Sequence, residues 1–178
     1  MAFTLLKPDG IDLSQTFAFT GSVTGAGGGK LLQVVHATAT TGQSSTSSSF
    51  VEYTGGNISI TPSATSSKVL IQITGTLMVG RNGQARTHGN GKAAIYRGST
   101  DLTIRQEVGQ NYGSISNSDQ WADHGITYSL IGLDSPNTTS ATTYKLYFLS
   151  DSSLQAYTPM GQSIQFCAME IGAWLIKT

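Results

Sequence analysis

Asp119, Asp123 and His124 stand close together in the chain and are the residue types that could serve as general acid, general base or metal ligand. A solvated polar loop explains the same residues more simply. His36, His88 and His124 are far apart and show no ligand spacing, so no metal site is expected within one chain. Gly29-Lys30 has Thr24 where a phosphate loop needs its first glycine and is followed by Leu31. Gly91-Lys92 fails in the same way, with Arg86 before it and Ala93 after it, so nucleotide hydrolysis is not expected. Cys167 is the only cysteine. It can form no internal disulfide or cysteine metal cluster, and its place inside an apolar strand pattern predicts an inert, buried thiol. No catalytic residue, metal or cofactor is nominated, and the chain reads as a non-enzyme.

Binding chemistry is better represented. Residues 109–125 form a polar stretch of uncommon length, and long loops in compact domains are often functional. Within it, Tyr112 and Trp121 stand among Asn111, Gln120, Asp119 and Asp123. Aromatics among amides and carboxylates bind sugar rings by face stacking plus hydrogen bonds, which makes a glycan the candidate ligand. The competing reading turns Trp121 inward to cap the core. Arg81, Arg86 and His88 mark a second candidate surface in a glycine-punctuated connection.

The elements that must carry these loops are strands. From Lys68 the chain places Val69, Ile71, Ile73, Leu77 and Val79 on one side and Gln72, Thr74 and Thr76 on the other, the period-two signature of a half-buried strand. Before it come a short strand, Asn57-Ile58-Ser59-Ile60, and a Ser/Thr turn cluster; Gly75 is the expected bend. Further strands are predicted at 31–37, 50–53, 92–96, 102–108, 126–133, 144–149 and 163–177, with a hairpin turn at 97–101. The hydroxyl-rich approaches to Lys68 and to Lys145 echo one another, as if two sheets had equivalent entries. Nowhere does a convincing helical stripe occur. The expectation is an all-β jelly-roll sandwich of roughly eight to ten antiparallel strands with a short extended N-terminal arm.

Only 11% of the 178 residues are charged, 38% are hydrophobic, and the formal net charge is zero. Organised apolar runs argue against disorder, and the charge balance points to neither nucleic acid nor an anionic membrane. No apolar run approaches the ~20 residues of a membrane-spanning helix, and the first dozen residues lack the pattern of a secretion signal. Two parts are expected: residues 1–29, an arm ending in the glycine-rich run at 25–29, and residues 30–178, the strand domain. Phe3, Leu13, Phe17 and Phe19 are too apolar for an idle terminus, so the arm reads as a docking peptide. In 144–149 and 163–177 both sides of the strand are apolar, with Tyr144 and Phe148 opposed to Tyr147, and Phe166 opposed to Met169. These five are the candidates for core or subunit interface. One side can fill the core. The other calls for a further layer, and another subunit is the simplest cover.

The runs GKLLQVVHATAT, FVEYTGGNISITPSATSSKVLIQITG, YRGSTDL, TTYKLYFLSDSS and IQFCAMEIGAW, with the lead-in DLSQTFAFTGSVTGAG, together resemble tail-fibre-like virion proteins of bacteriophages, particularly of aquatic phages. The resemblance covers most of residues 30–176. It implies a C1q/TNF-like jelly-roll knob that forms a homotrimer, is assembled in the host cytoplasm and is displayed on the virion surface. It implies that the arm docks on other phage structural proteins, and it implies no catalytic residues. Only about thirty residues precede the knob, which would also suit a capsid decoration or cement protein. A polysaccharide-degrading tail enzyme is the third reading, poorly served by so few carboxylates.

Overall fold

The computed structural model describes residues 30–80, 88–111, 125–150, 155–159 and 162–172. Ten strands follow one another, and the described residues contain no helix. They are β1 (Leu31–Ala39), β2 (Gln43–Ser45), β3 (Val51–Ile60), β4 (Lys68–Gly80) and β5 (His88–Arg97). The second half of the chain supplies β6 (Thr100–Asn111), β7 (Gly125–Asp134), β8 (Thr142–Ser150), β9 (Gln155–Thr158) and β10 (Ile164–Ile171).

All pairings are antiparallel and fall into two sheets. In the first, β1, β10, β4 and β7 lie side by side, and the short β2–β9 pair continues the β1–β10 ribbon along the upper part of β4. The second has the order β3-β8-β5-β6. The chain therefore runs as four nested ribbons, β1/β2 with β9/β10, β3 with β8, β4 with β7 and β5 with β6. A folded ribbon wound into two sheets is the jelly roll, as the sequence predicts. Alternation explains the layering. Val69, Ile71, Ile73 and Leu77 of β4, Ile164, Phe166 and Ala168 of β10, and Tyr144, Leu146 and Phe148 of β8 are all fully buried between the sheets.

Three local expectations are corrected. Residues 50–53 and 57–60 are one strand, β3, whose pairing with β8 is irregular between Glu52 and Asn57. Gly55 permits the irregularity, because a Cβ there would lie 2.3 Å from the Tyr53 hydroxyl. Gly75 does not break β4: its register with β7 is continuous from Val69 to Met78. Its lack of a side chain instead admits the ring of Tyr128, whose hydroxyl would stand 2.5 Å from a Cβ. Cys167 is not buried; it points outward from β10 and is partly exposed.

The two hydroxyl-rich loops with the sequence echo do enter different sheets, one leading into β4 and the other into β8. Both meet at one end of the sandwich, held by Glu170 and Asp134. Glu170, 1% exposed, accepts hydrogen bonds from the Ser63 N–H at 2.7 Å, the Ser63 hydroxyl at 2.6 Å and Gln33 Nε2 at 2.7 Å. Burial pushes its carboxyl up, but these donors outweigh burial and hold it down to about 2. Beside it, Arg97 Nη1 lies 2.9 Å from both oxygens of Asp134, and the Tyr144 hydroxyl donates to the same carboxylate at 2.7 Å.

Candidate functional site

The candidate sites are the two outer sheet faces. On the β3-β8-β5-β6 sheet, Tyr147 and Lys145 of β8 project outward, and the chain covers them itself. Tyr147 stacks on Tyr96 of β5 with ring centroids 3.8 Å apart, Phe50 meets Tyr96 edge-on at 6.1 Å, and the Arg105 guanidinium sits 5.2 Å from the Phe50 ring centre. Tyr147 donates to Glu52 at 3.1 Å, and Lys145 Nζ lies 2.8 Å from Glu52. The Lys145 hydrogen bond lowers the Glu52 carboxyl against the opposing effect of burial.

A bulge completes the cluster. Ile95 pairs with Ile104 but Tyr96 pairs with Asp101, so Leu102 and Thr103 are extra, and Thr103 takes φ 59°. That brings Asp101 beside Arg105, its ion-pair partner, and within 3.2 Å of the Tyr96 hydroxyl. Burial raises the Asp101 carboxyl, but the Thr103 N–H and Arg105 outweigh it and leave it below the usual value. Ring faces occupied by one another and charges paired within the chain make this a surface cover. The outward side of β8, which the sequence reading assigned to core or to a subunit interface, thus has a cover of its own within the chain.

The outer face of the other sheet has no such cover among the described residues. Strand register aligns Val34, Met169, Leu70 and Leu133 in one row across β1, β10, β4 and β7. The next row is His36, Cys167, Gln72 and Ile131, and the one after is Thr38, Gln165, Thr74 and Ser129. The face is thus apolar at the end where β1 begins and polar at the other, where His36 Nε2 and the Thr38 hydroxyl each lie 2.9 Å from Gln165 Oε1. Leu31, Leu32, Val34, Ile131 and Leu133 are 45% to 59% exposed, and they are the exposed large hydrophobics of the described chain.

Sequence reading singled out only part of this surface. Tyr144, Phe148 and Phe166 are core, Tyr147 belongs to the self-covered cluster, and Met169 lies in the apolar row. Leu70, Ile131 and Leu133 were missed, although β7 signals its two-sidedness by following Ile126, Tyr128 and Leu130 with Ile131 and Leu133. The arm candidates Phe3, Leu13, Phe17 and Phe19 and the binding-loop candidates Tyr112, Asp119, Trp121 and Asp123 lie outside the described residues, as do Arg81, Arg86 and His124. The strands on either side of residues 112–124 are described: β6 ends at Asn111 and β7 begins at Gly125. No cluster of three metal-ligating side chains occurs among the described residues.

No family model and no curated protein matches the sequence. Among solved structures, the chain is similar to a protein of the infectious bursal disease virus particle, with 14% identity and a TM-score of 0.31, over 89% of this chain and 42% of that one. A mutant VP2 protein of the same virus, in derived particles, gives 18% identity and a TM-score of 0.31 over 89% and 41%. The VP2 subviral particle gives 19% and 0.28 over 79% and 38%. The chain spans about two fifths of the length of these proteins, and likeness this slight transfers no role from them.

Proposed function

We propose that this chain is a non-enzymatic structural component of a bacteriophage particle, a jelly-roll knob that associates with copies of itself as a trimer. Residues 1 to about 29 hold it to other structural proteins of the particle, and the knob is displayed at the virion surface for host attachment. The observation that carries the reading is the apolar end of the β1-β10-β4-β7 face. Its five half-exposed aliphatic residues present on the order of 500 Å² of apolar surface, at the upper end of what a monomer normally leaves in water. A standard interface buries ~800 Å² per partner with about two thirds of its core apolar, so the patch is the right size for one. The fold agrees by analogy alone, since jelly rolls also build lectins and enzymes.

The sequence resemblance supplies the particle. Antibodies raised against the purified chain should label the tail of intact virions in electron micrographs. Label on the capsid shell would make it a decoration protein instead, and particles that never carry the chain would overturn the reading. The 109–125 segment is the proposed receptor-contacting part, with Tyr112 and Trp121 as stacking platforms for a host glycan.

A further inference from the structure

Given the self-association proposed above, on which this rests, we infer that the outer face of β1-β10-β4-β7 closes on a second copy of the chain and that His36 makes the contact pH-sensitive, protonation of its imidazole opening the assembly. Charge is divided unevenly between the two outer faces. Among the described residues, the outward positions of these four strands hold one charged side chain, Lys68, at the corner where β4 begins, and its Nζ donates to the Ser135 hydroxyl at 2.6 Å. Asp134 and Glu170 share a row with Val69 on the inward side. The opposite outer face differs: Glu52, Lys92, Arg105, Glu107 and Lys145 all stand on it. Depletion of charge marks the core of an interface, and a face without charges suits a copy of itself better than it suits a charged partner.

Size brings His36 under the partner. The apolar end supplies on the order of 500 Å² of the ~800 Å² that a standard interface buries on each side, and the rows adjoining it must supply the rest. The first of them is His36, Cys167, Gln72 and Ile131. His36 Nε2 and the Thr38 hydroxyl both lie 2.9 Å from Gln165 Oε1, while Gln165 Nε2 donates to the Ser163 hydroxyl at 2.6 Å. That orientation of the amide puts a proton on His36 Nε2, so Nδ1 is the nitrogen that a second proton takes. Among the described residues no carboxylate faces it. β10 sets Cys167 opposite, β1 itself holds no Asp, Glu, Lys or Arg, and β3 packs on the inward side of β1, where Ala39 meets Gly56. An imidazolium left in water is hydrated. Beneath an uncharged partner face it loses that hydration and gains no counter-charge, and each copy brings one. Assembly therefore expels the proton, and acid favours the separated copies.

Sedimentation equilibrium of the full chain at about pH 8 and about pH 5.5 tests this, the two values bracketing the range in which histidine changes charge. Glu170, held down to about 2, stays charged at both, so the acid limit of the fold itself does not enter. The dissociation constant of the assembly should be at least about tenfold larger at the lower pH. His36→Gln keeps a donor for Gln165 Oε1 and cannot take the charge, so it should assemble equally at both values. His88→Gln and His124→Gln, at the other two histidines, should leave the response in place. An assembly of the parent that is equally tight or tighter at the lower pH, or a response that survives His36→Gln, would overturn the switch and leave self-association standing. A single-copy parent at both pH values at about 100 µM would overturn the self-association itself, and the switch with it.

Discussion

Tyr96 and Tyr147 lie nearly parallel across β5 and β8, their ring centroids 3.8 Å apart and their planes inclined by 22°. Through this contact β8 receives a cover from its own sheet, and the exposed large hydrophobics of the described residues lie on the opposite sheet. Truncating either ring to alanine should cost about 1–3 kcal/mol in urea unfolding, and the double-mutant cycle should return a coupling of about 0.5–1.5 kcal/mol. The sedimentation coefficient of the assembly should not move. A Tyr147→Ala protein that lost its oligomeric state while staying folded would return this face to the interface.

Glu170 gives the fold an acid limit. Its carboxyl titrates near 4.5 when unfolded and at about 2 when folded, so the native state favours the charged form. The stabilisation, on the order of 3 kcal/mol, is fully present above about pH 4.5 and is lost as pH falls towards 2. Glu170→Gln keeps the shape but turns an amide donor towards donors of Ser63 and Gln33. It should lower stability by about 1.5–3 kcal/mol at neutral pH and flatten the acid limb of the stability profile. An unchanged acid limb, measured by urea titrations between pH 2 and 7, would refute the assignment.

Gly75 and Tyr128 are opposed residues on β4 and β7. A methyl group at Gly75 would fall 2.5 Å from the Tyr128 hydroxyl and 3.1 Å from Ile164, both in fully buried surroundings. Gly75→Ala is therefore expected to destabilise by about 1–3 kcal/mol through overpacking. Adding Tyr128→Phe removes the nearest atom and should recover part of that loss. Additive effects of the two changes would mean that the clash is not what matters at Gly75.

What could be read from the chain alone was whatever a single strand displays along its own length. Alternation located β4, β7, β8 and β10 and separated Ile164, Phe166 and Ala168 from Cys167 and Met169. The three residues of β2 and four of β9 have no such pattern. β2 is held instead by its pairing with β9, more than a hundred residues away, and by Gln43, whose amide donates to the Glu52 carbonyl at 2.8 Å and accepts from the Thr54 N–H at 2.8 Å. The role of Glu170 is not legible in its own strand because its donors come from residues 33 and 63. The apolar row escaped notice for a related reason. Leu70 is unremarkable in its own strand, and although Ile131 and Leu133 mark β7 as apolar on both sides, only the register across four strands sets Leu70 and Leu133 beside Val34 and Met169.

That row carries the last prediction. β7 is at the far edge of the sheet from β1, so charging its outward residues tests self-association without disturbing the start of the chain. Ile131→Lys with Leu133→Lys replaces side chains that are 57% and 59% exposed, so the isolated fold should lose no more than about 0.5 kcal/mol per site. In an interface the same two lysines would be desolvated without partners and would face their symmetry mates. Several kcal/mol of penalty is then expected, enough to convert an assembly stable at micromolar concentration into monomers. Analytical ultracentrifugation should show a folded single-copy species for the double variant and a larger one for the parent. If the parent is monomeric at about 100 µM, the face has no self-partner, and its apolar residues must be covered from within the chain or by a different protein of the particle.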